Sequence, residues 1–179
     1  LRIVAHSKVK AYHSLLDKLA LPKLNKEILK ATYTNAKILL NSDKIKSSSS
    51  ERSLLKNLGL WLGAMTLAKN RPVLYKDLAL KELIIDAYKS GKMIAVMPFV
   101  SKVLEHARDS MVFRPPNPWT MAIVGLISEI YQKPDLKLNL KFEVEIMVQK
   151  LQLDLSAGKS TVDESIKIET FNLLDNVNV

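Results

Sequence analysis

Residues 49–63 read SSERSLLKNLGLWLG, and this stretch decides the fold. Ser48 and Glu51 stand at the spacing of a capping box, in which a hydroxyl and a carboxylate satisfy the free amides at a helix N-terminus. Apolar residues then recur with the 3.6-residue period of an amphipathic helix; they are Leu54, Leu55, Leu58, Trp61, Leu62 and Met65. The pattern predicts a helix with Trp61 in the core, and we expect Arg71–Pro72 to stop it.

Helical patterns also precede this stretch. Tyr12–Leu19 carries a short apolar stripe that is expected to end near Pro22. Asn25 has the chemistry of an N-cap, so it is expected to start a second helix that runs to about Ser42.

Two more helices are predicted after the stretch. Leu80–Tyr88 has helical periodicity, and Gly91 stands where a left-handed C-terminal residue would close the helix. Ile94–Ala107 gives the next stripe, but Pro98 lies inside it. Because proline removes a helical hydrogen bond, we expect a kink or a later start there.

A second long stretch, residues 113–143, reads FRPPNPWTMAIVGLISEIYQKPDLKLNLKFE. Asn117 is expected to be the N-cap and Pro118 the first residue of a helix that continues to about Ile130. Residues 136–148 alternate between apolar and polar side chains, which by pattern alone indicates a strand. A lone strand would leave its backbone groups unpaired, and the chain offers no second strand of similar quality. We therefore predict a helix from about Asn139 to Leu151.

The predicted fold is all-α, with six or seven helices joined in sequence by mostly short connections. Such a chain is typical of a helical-repeat solenoid, in which antiparallel helix pairs stack on one another. A compact helical bundle is the alternative. We assign residues 1–155 to this helical domain and residues 156–179 to an acidic tail.

Composition and charge indicate one ordinary domain with a basic body. The 179 residues are 47% hydrophobic, include no cysteine and carry a formal net charge of +9. Residues 160–179 contribute about −3, so the rest of the chain holds about +12. A basic body attracts nucleic acid or an acidic partner, unless its lysines simply form a solvated helical surface. The given residues contain no apolar run of about 18 residues, as a membrane helix needs, and no n-region and h-region pattern of a secretory signal.

Catalytic patterns are missing from the sequence. The three histidines form no HExxH motif, and no G-x-S-x-G elbow is present. Residues 157–160 read AGKS but lack the earlier glycine of a phosphate-binding loop, and Glu143 and Glu145 would point to different sides of a helix. We therefore expect no enzymatic activity, no cofactor and no metal site.

Both quoted stretches resemble one family, the central domain of Not-one, the large scaffold subunit of the Ccr-Not mRNA deadenylase complex. The resemblance rests on RSLLKNLGLWLG at 52–63, on PFV at 98–100 with KVLE at 102–105, and on residues 113–123 and 136–145. It covers roughly residues 12–153. Residues 1–11 lack the acidic-Pro-Asn-aromatic turn expected of the family, whose domain is expected to begin at least one helix earlier. The tail from Ser156 has no clear match.

The resemblance implies a HEAT-like helical repeat with the fold of the initiation-factor-4G middle domain. It implies a non-catalytic docking platform for a DEAD-box RNA helicase, the deadenylase subunit and other Ccr-Not subunits. The implied roles are mRNA deadenylation, translational repression and mRNA decay, in the cytoplasm and its mRNA-decay granules, with the nucleus as a further site.

Two regions supply candidate contact residues. One is the basic N-terminus; the other is a proline-rich loop in which aromatic and arginine side chains look exposed, as in interface hot spots. The candidates are Arg2, Lys8, Lys10, Phe113, Arg114, Pro115, Pro116, Asn117 and Trp119. Alternatively, Phe113 and Trp119 pack inside and fix the loop. A second functional hypothesis is an RNA-binding helical-repeat module that uses the basic N-terminal half.

Overall fold

The computed structural model describes residues 9–153, with side chains from residue 11 onward. Every regular element in this range is helical, which confirms the all-α class. Three short 3-10 helices lie at Asp43–Lys46, Leu67–Lys69 and Glu105–Asp109. The seven α-helices of the described range are α1 Val9–Leu19, α2 Pro22–Asn41, α3 Ser49–Met65, α4 Leu80–Ser90, α5 Met93–Leu104, α6 Pro118–Tyr131 and α7 Leu138–Lys150.

Helix α3 lies at the centre and packs most extensively on α5. Two glycines allow this close approach. A Cβ atom at Gly59 would lie 2.5 Å from the Phe99 carbonyl oxygen, and one at Gly63 would lie 2.6 Å from the Val103 carbonyl oxygen. Trp61 is buried on the same helix, as its position in the stripe predicts. The glycines of the LLKNLGLWLG segment therefore let two helix backbones touch.

The other helices follow a regular order of contacts. Helix α1 packs on α3, α3 on α5 and α5 on α7, and α4 packs on α6. Successive helices also pair, as α2 with α3, α4 with α5, and α6 with α7. All seven described α-helices contribute buried side chains to one core.

Only one of the two hydrogen bonds of the predicted capping box forms at the start of α3. The Ser48 hydroxyl accepts a hydrogen bond from the Glu51 amide at 3.2 Å. The Glu51 carboxylate does not reach back to Ser48; it accepts instead from the Ser42 hydroxyl at 2.8 Å, at the end of α2. Helix α3 also ends at Met65, before Arg71–Pro72, because a 3-10 turn follows it directly.

Two local expectations need correction. Asn25 does not cap α2, because the helix begins at Pro22 with Leu21 in the cap position and no side-chain cap. Proline at the first helical position needs no amide donor, so it can start the helix alone. Helix α5 begins at Met93 and continues through Pro98, so the later start is wrong and the kink stays a prediction. Gly91, by contrast, closes α4 with φ of 68°, as predicted.

Helix α7 resolves the strand-like alternation in favour of a helix, Leu138–Lys150. Residues two apart on a helix are about 200° apart, so a period of two places apolar side chains on two opposite faces. Leu140, Val144 and Val148 are buried against the core. Leu138, Phe142 and Ile146 lie on the other side and are 66%, 52% and 44% exposed. The alternation is thus the signature of a helix with two apolar faces.

A buried carboxylate ties the end of α5 to α7. Glu105 is only 9% exposed. It accepts from Lys102 Nζ and from Lys150 Nζ, each at 2.7 Å. The two ammonium groups compensate the charge that burial would otherwise disfavour.

Candidate docking surfaces

The described residues form no metal site. No group of three or more metal-ligating side chains lies together in residues 9–153. None of the helices in that range is both long enough and apolar enough to cross a membrane. Of the N-terminal candidates, Arg2 and Lys8 lie outside the described residues, and Lys10 is described only by its backbone in α1.

The loop between the third 3-10 helix and α6 is held by hydrogen bonds from Asn70. This residue has φ of 58°, and its side-chain oxygen accepts from the Ser110 hydroxyl at 2.9 Å and from the Met111 amide at 2.8 Å. The Ser110 hydroxyl oxygen in turn accepts from the Phe113 amide at 2.9 Å. A residue forty positions upstream therefore shapes this loop.

The far end of the loop is fixed by the start of α6. As predicted, Asn117 is the N-cap: its side-chain oxygen accepts from the amides of Trp119 and Thr120 at 3.0 and 3.2 Å. Its side-chain amide donates to the Val112 carbonyl at 3.0 Å. The Thr120 hydroxyl, which is fully buried, donates to the Phe113 carbonyl at 2.6 Å.

The candidate residues of this loop divide between core and surface. The Phe113 ring is buried and meets the half-buried Trp119 ring edge-on, with 5.6 Å between ring centroids, so the packing interpretation applies to Phe113. Pro115 and Asn117 are half-buried, whereas Arg114 and Pro116 are exposed. The loop therefore presents Arg114 and Pro116 from a base that Phe113 anchors.

Sequence reasoning missed two exposed apolar residues in the same loop. Met111 is 74% exposed and Val112 is 52% exposed, directly before Phe113. Their amides are the ones that Asn70 holds. An apolar pair on an ordered loop beside an arginine has the composition of an interface centre. In the sequence, this pair was indicated only by its position directly before Phe113 and Arg114.

A second surface missed by the sequence is an apolar groove at the α1 end of the molecule. Helices α1 and α2 each pack on α3, and a cavity of about 400 Å³ remains between them. Leu15, Leu19 and Leu24 line it and are 51%, 48% and 39% exposed. The buried Trp61 also lines it. The stripe Tyr12–Leu19 could have indicated this groove, because it has more apolar residues than one packing face needs.

A buried histidine packs on the tryptophan that lines this groove. His13 stacks on Trp61 with 4.3 Å between ring centroids, and neither ring nitrogen has a hydrogen-bond partner among the described residues. Burial, followed by the charge of Lys69, lowers the pKa of His13 to about 4. Lys69 also pairs with Asp17 and lowers the pKa of that carboxyl.

The carboxylates of α7 are engaged rather than merely solvated. Glu143 pairs with Lys56 of α3, and Glu145 accepts from the Tyr131 hydroxyl at 2.7 Å. They have different partners on different helices, so they do not converge as a catalytic pair, in line with the expectation from their spacing.

The comparisons with known proteins identify the family. The family model for the CAF1-binding domain of CCR4-NOT transcription complex subunit 1 matches residues 3–169. This chain belongs to that family. The match extends the similarity beyond the range 12–153 that the sequence resemblance covers, and it reaches into the segment we assign to the tail.

Three relatives of this chain come from a worm and two yeasts. The CCR4-NOT transcription complex subunit let-711 of Caenorhabditis elegans is 41% identical over 150 residues, 81% of this chain. The general negative regulator of transcription subunit 1 is 40% identical over 80% of this chain in Schizosaccharomyces pombe and 37% identical over 83% in Saccharomyces cerevisiae. The matched region spans only 6–7% of the length of these relatives.

Proposed function

We propose that this domain is a non-catalytic docking platform of a Ccr-Not complex and that it binds the deadenylase subunit. The observation that carries the proposal is the family match over residues 3–169, since the family is described by its binding of CAF1. The three relatives, by name, are subunits of the CCR4-NOT complex or general negative regulators of transcription. The function follows as a role in mRNA deadenylation and decay, in the cytoplasm and its mRNA-decay granules.

The arrangement we propose is a helical-repeat solenoid like the initiation-factor-4G middle domain. Its support is the order of helix contacts, in which each odd-numbered helix packs on the next and successive helices pair. Stacked pairs of this kind leave extended surfaces along the molecule, which suit the binding of several partners at once.

A DEAD-box RNA helicase is the second partner we propose, with the loop around Arg114 as its contact. The loop is ordered before binding by Asn70 and Asn117, so little conformational entropy is lost when a partner engages it. A platform that binds the closed form of the helicase more tightly than the open form would raise its ATPase rate.

The first experiment measures binding of the purified full chain to the deadenylase subunit by isothermal titration calorimetry. We expect a one-to-one complex. If no heat and no comigration in size-exclusion chromatography are found at concentrations near 100 times a micromolar Kd, where a site of that strength would be almost filled, the platform proposal is wrong.

The helicase is tested by its ATPase rate at saturating RNA, with and without the chain. We expect stimulation that is lost on Arg114→Glu and on Arg2→Ala. Lys37→Glu is the matched control, because it makes the same charge change at an exposed position of α2. Stimulation that survives Arg114→Glu unchanged would remove the loop from the interface, and equal loss with Lys37→Glu would indicate a general charge effect.

Direct RNA binding is the second candidate function. Lys18, Lys23, Lys26 and Lys30 are all exposed, and none has a carboxylate partner within the described residues. Contacts between lysines and phosphates release counterions, so binding would weaken steeply with salt. A single-stranded RNA that binds at low salt and dissociates as salt rises supports this function, whereas no binding at low salt excludes it.

A further inference from the structure

The outward face of α7 lacks a partner within the described residues. Leu138, Phe142 and Ile146 repeat every four residues and are 66%, 52% and 44% exposed. Single exposed apolar residues are ordinary, but a continuous row of three along one helix face marks a contact surface. We call these three residues the α7 ridge.

The charges around the α7 ridge are basic. Lys137 and Lys141 flank its first residues, and neither has a carboxylate partner in residues 11–153. Lys141 Nζ instead lies 5.5 Å from the centre of the Tyr131 ring. The two glutamates of the helix are engaged, Glu143 by Lys56 and Glu145 by Tyr131. The ridge therefore suits an occupant that is both apolar and acidic.

The chain ends α7 with a turn that separates the helix from the residues that follow. Gln152 has φ of 58°, and the Leu153 amide donates to the Val148 carbonyl at 3.0 Å, which is the bond that closes a Schellman motif. Leu153 packs back against the core. The chain thus turns off the helix axis directly at the end of α7 and does not continue along it.

The sequence beyond this turn has the required chemistry. Residues 160–179 contain Asp163, Glu164, Glu169 and Asp175 against Lys167 alone. The same segment holds the apolar residues Ile166, Ile168, Phe171, Leu173, Leu174 and Val177. We propose that residues 160–179 bind the α7 ridge of their own chain, with their carboxylates beside Lys137 and Lys141.

The available length permits this contact. The residues between Leu153 and Ser160 can extend over about 24 Å. Helix α7, with 13 residues, is about 20 Å long. The segment can therefore reach every residue of the ridge without strain, and a partner that needs the ridge must displace it.

The test uses a spin label on the full chain. Because the chain has no cysteine, Asn139→Cys gives a single attachment site on the exposed surface beside the ridge. We expect the amide NMR signals of residues 160–179 to lose most of their intensity and to regain it when the label is reduced. The matched control is Lys37→Cys on α2, which packs on α3. Absence of broadening from position 139, or equal broadening from position 37, overturns the proposal.

A second pair of variants tests the ridge itself. Phe142→Ser in the Asn139→Cys background should remove the broadening. Ile38→Ser should leave it unchanged, because Ile38 is an equally exposed apolar residue of α2. Broadening that persists after Phe142→Ser means that the ridge does not hold the segment, and the proposal is then wrong.

Two further outcomes identify other occupants. Mixing isotope-labelled chain without spin label with spin-labelled chain of natural abundance reports contacts between molecules only. Broadening in that mixture assigns the ridge to a second copy and overturns the intramolecular contact. If residues 160–179 stay unbroadened while Phe142→Ser abolishes binding of the deadenylase subunit, the ridge belongs to that partner and the proposal fails, although the proposed function stands.

Discussion

Gly59 shows how a single residue sets the distance between two helices. An added methyl group there would lie 2.5 Å from the Phe99 carbonyl oxygen, which is backbone and cannot turn aside. At an exposed helical position, replacing glycine by alanine stabilises a helix by about 1 kcal/mol. At Gly59 the steric clash with α5 outweighs that gain.

We therefore expect Gly59→Ala to lower the free energy of unfolding by about 1–3 kcal/mol, the usual cost of overpacking. Urea denaturation followed by circular dichroism measures the change. Ser53→Ala is the control, since Ser53 is exposed on the same helix. A Gly59→Ala variant as stable as the Ser53→Ala variant would contradict the contact between the two backbones.

Asn70 is the residue that links the α3 turn to the candidate loop. We expect Asn70→Ala to destabilise the protein by about 2 kcal/mol, because it leaves donors unpaired and places a Cβ residue with no polar side chain at positive φ. Asn70→Gly tolerates the backbone angle and separates the two effects, while Asn70→Asp keeps an acceptor. Equal stability of the alanine and aspartate variants would show that the side-chain acceptor is unimportant.

At the scale of elements, helices with one clear apolar stripe could be predicted from the sequence. The residues at which they begin and end could be predicted only in part. The stripes of α3 and α4 and the cap at Asn117 all lie where the pattern places them. Asn25 misled because Pro22 begins α2 without any side-chain cap. Phe113 could not be assigned to core or surface from sequence, since its environment depends on Asn70, which is distant in the chain.

For α7, the strand and helix interpretations of residues 136–148 place different side chains in the core. In a strand, residues 144 and 146 would share one face, whereas in the helix Val144 is fully buried and Ile146 is 44% exposed. We expect Val144→Ser to cost about 2–4 kcal/mol through a cavity and an added buried hydroxyl. Ile146→Ser should cost less than about 1 kcal/mol, as exposed substitutions do. Thermal unfolding distinguishes them, and equal costs would contradict the helix.

At the scale of the whole molecule, stability depends on pH through a buried histidine. Folding disfavours the protonated form of His13, because burial lowers its pKa from 6.5 to about 4. Between these two values the unfolded chain binds a proton that the folded chain does not. The free energy of unfolding therefore falls as the pH drops from about 6.5 towards 4.

We expect His13→Phe to remove this part of the acid sensitivity while keeping the ring on Trp61. From neutral pH to about pH 4, the parent chain should lose up to about 3 kcal/mol more stability than the variant. Urea unfolding at several pH values measures both profiles. A weaker slope remains in the variant, since burial also lowers the pKa of His106. Parallel profiles for the two proteins would show that His13 does not titrate in this way.

The contact between the α3 and α5 backbones at Gly59 and Gly63 also affects the rates at which backbone amides exchange their hydrogens with solvent. Two helices that meet without intervening side chains cannot separate by a small rotation of either one, so their amide hydrogens exchange with solvent only when the whole domain unfolds. Helix α1 packs on α3 much less extensively than α5 does, and its amides can exchange through local detachment. Amide exchange is thus slow in α3 and α5 and fast in α1, which lines the open groove.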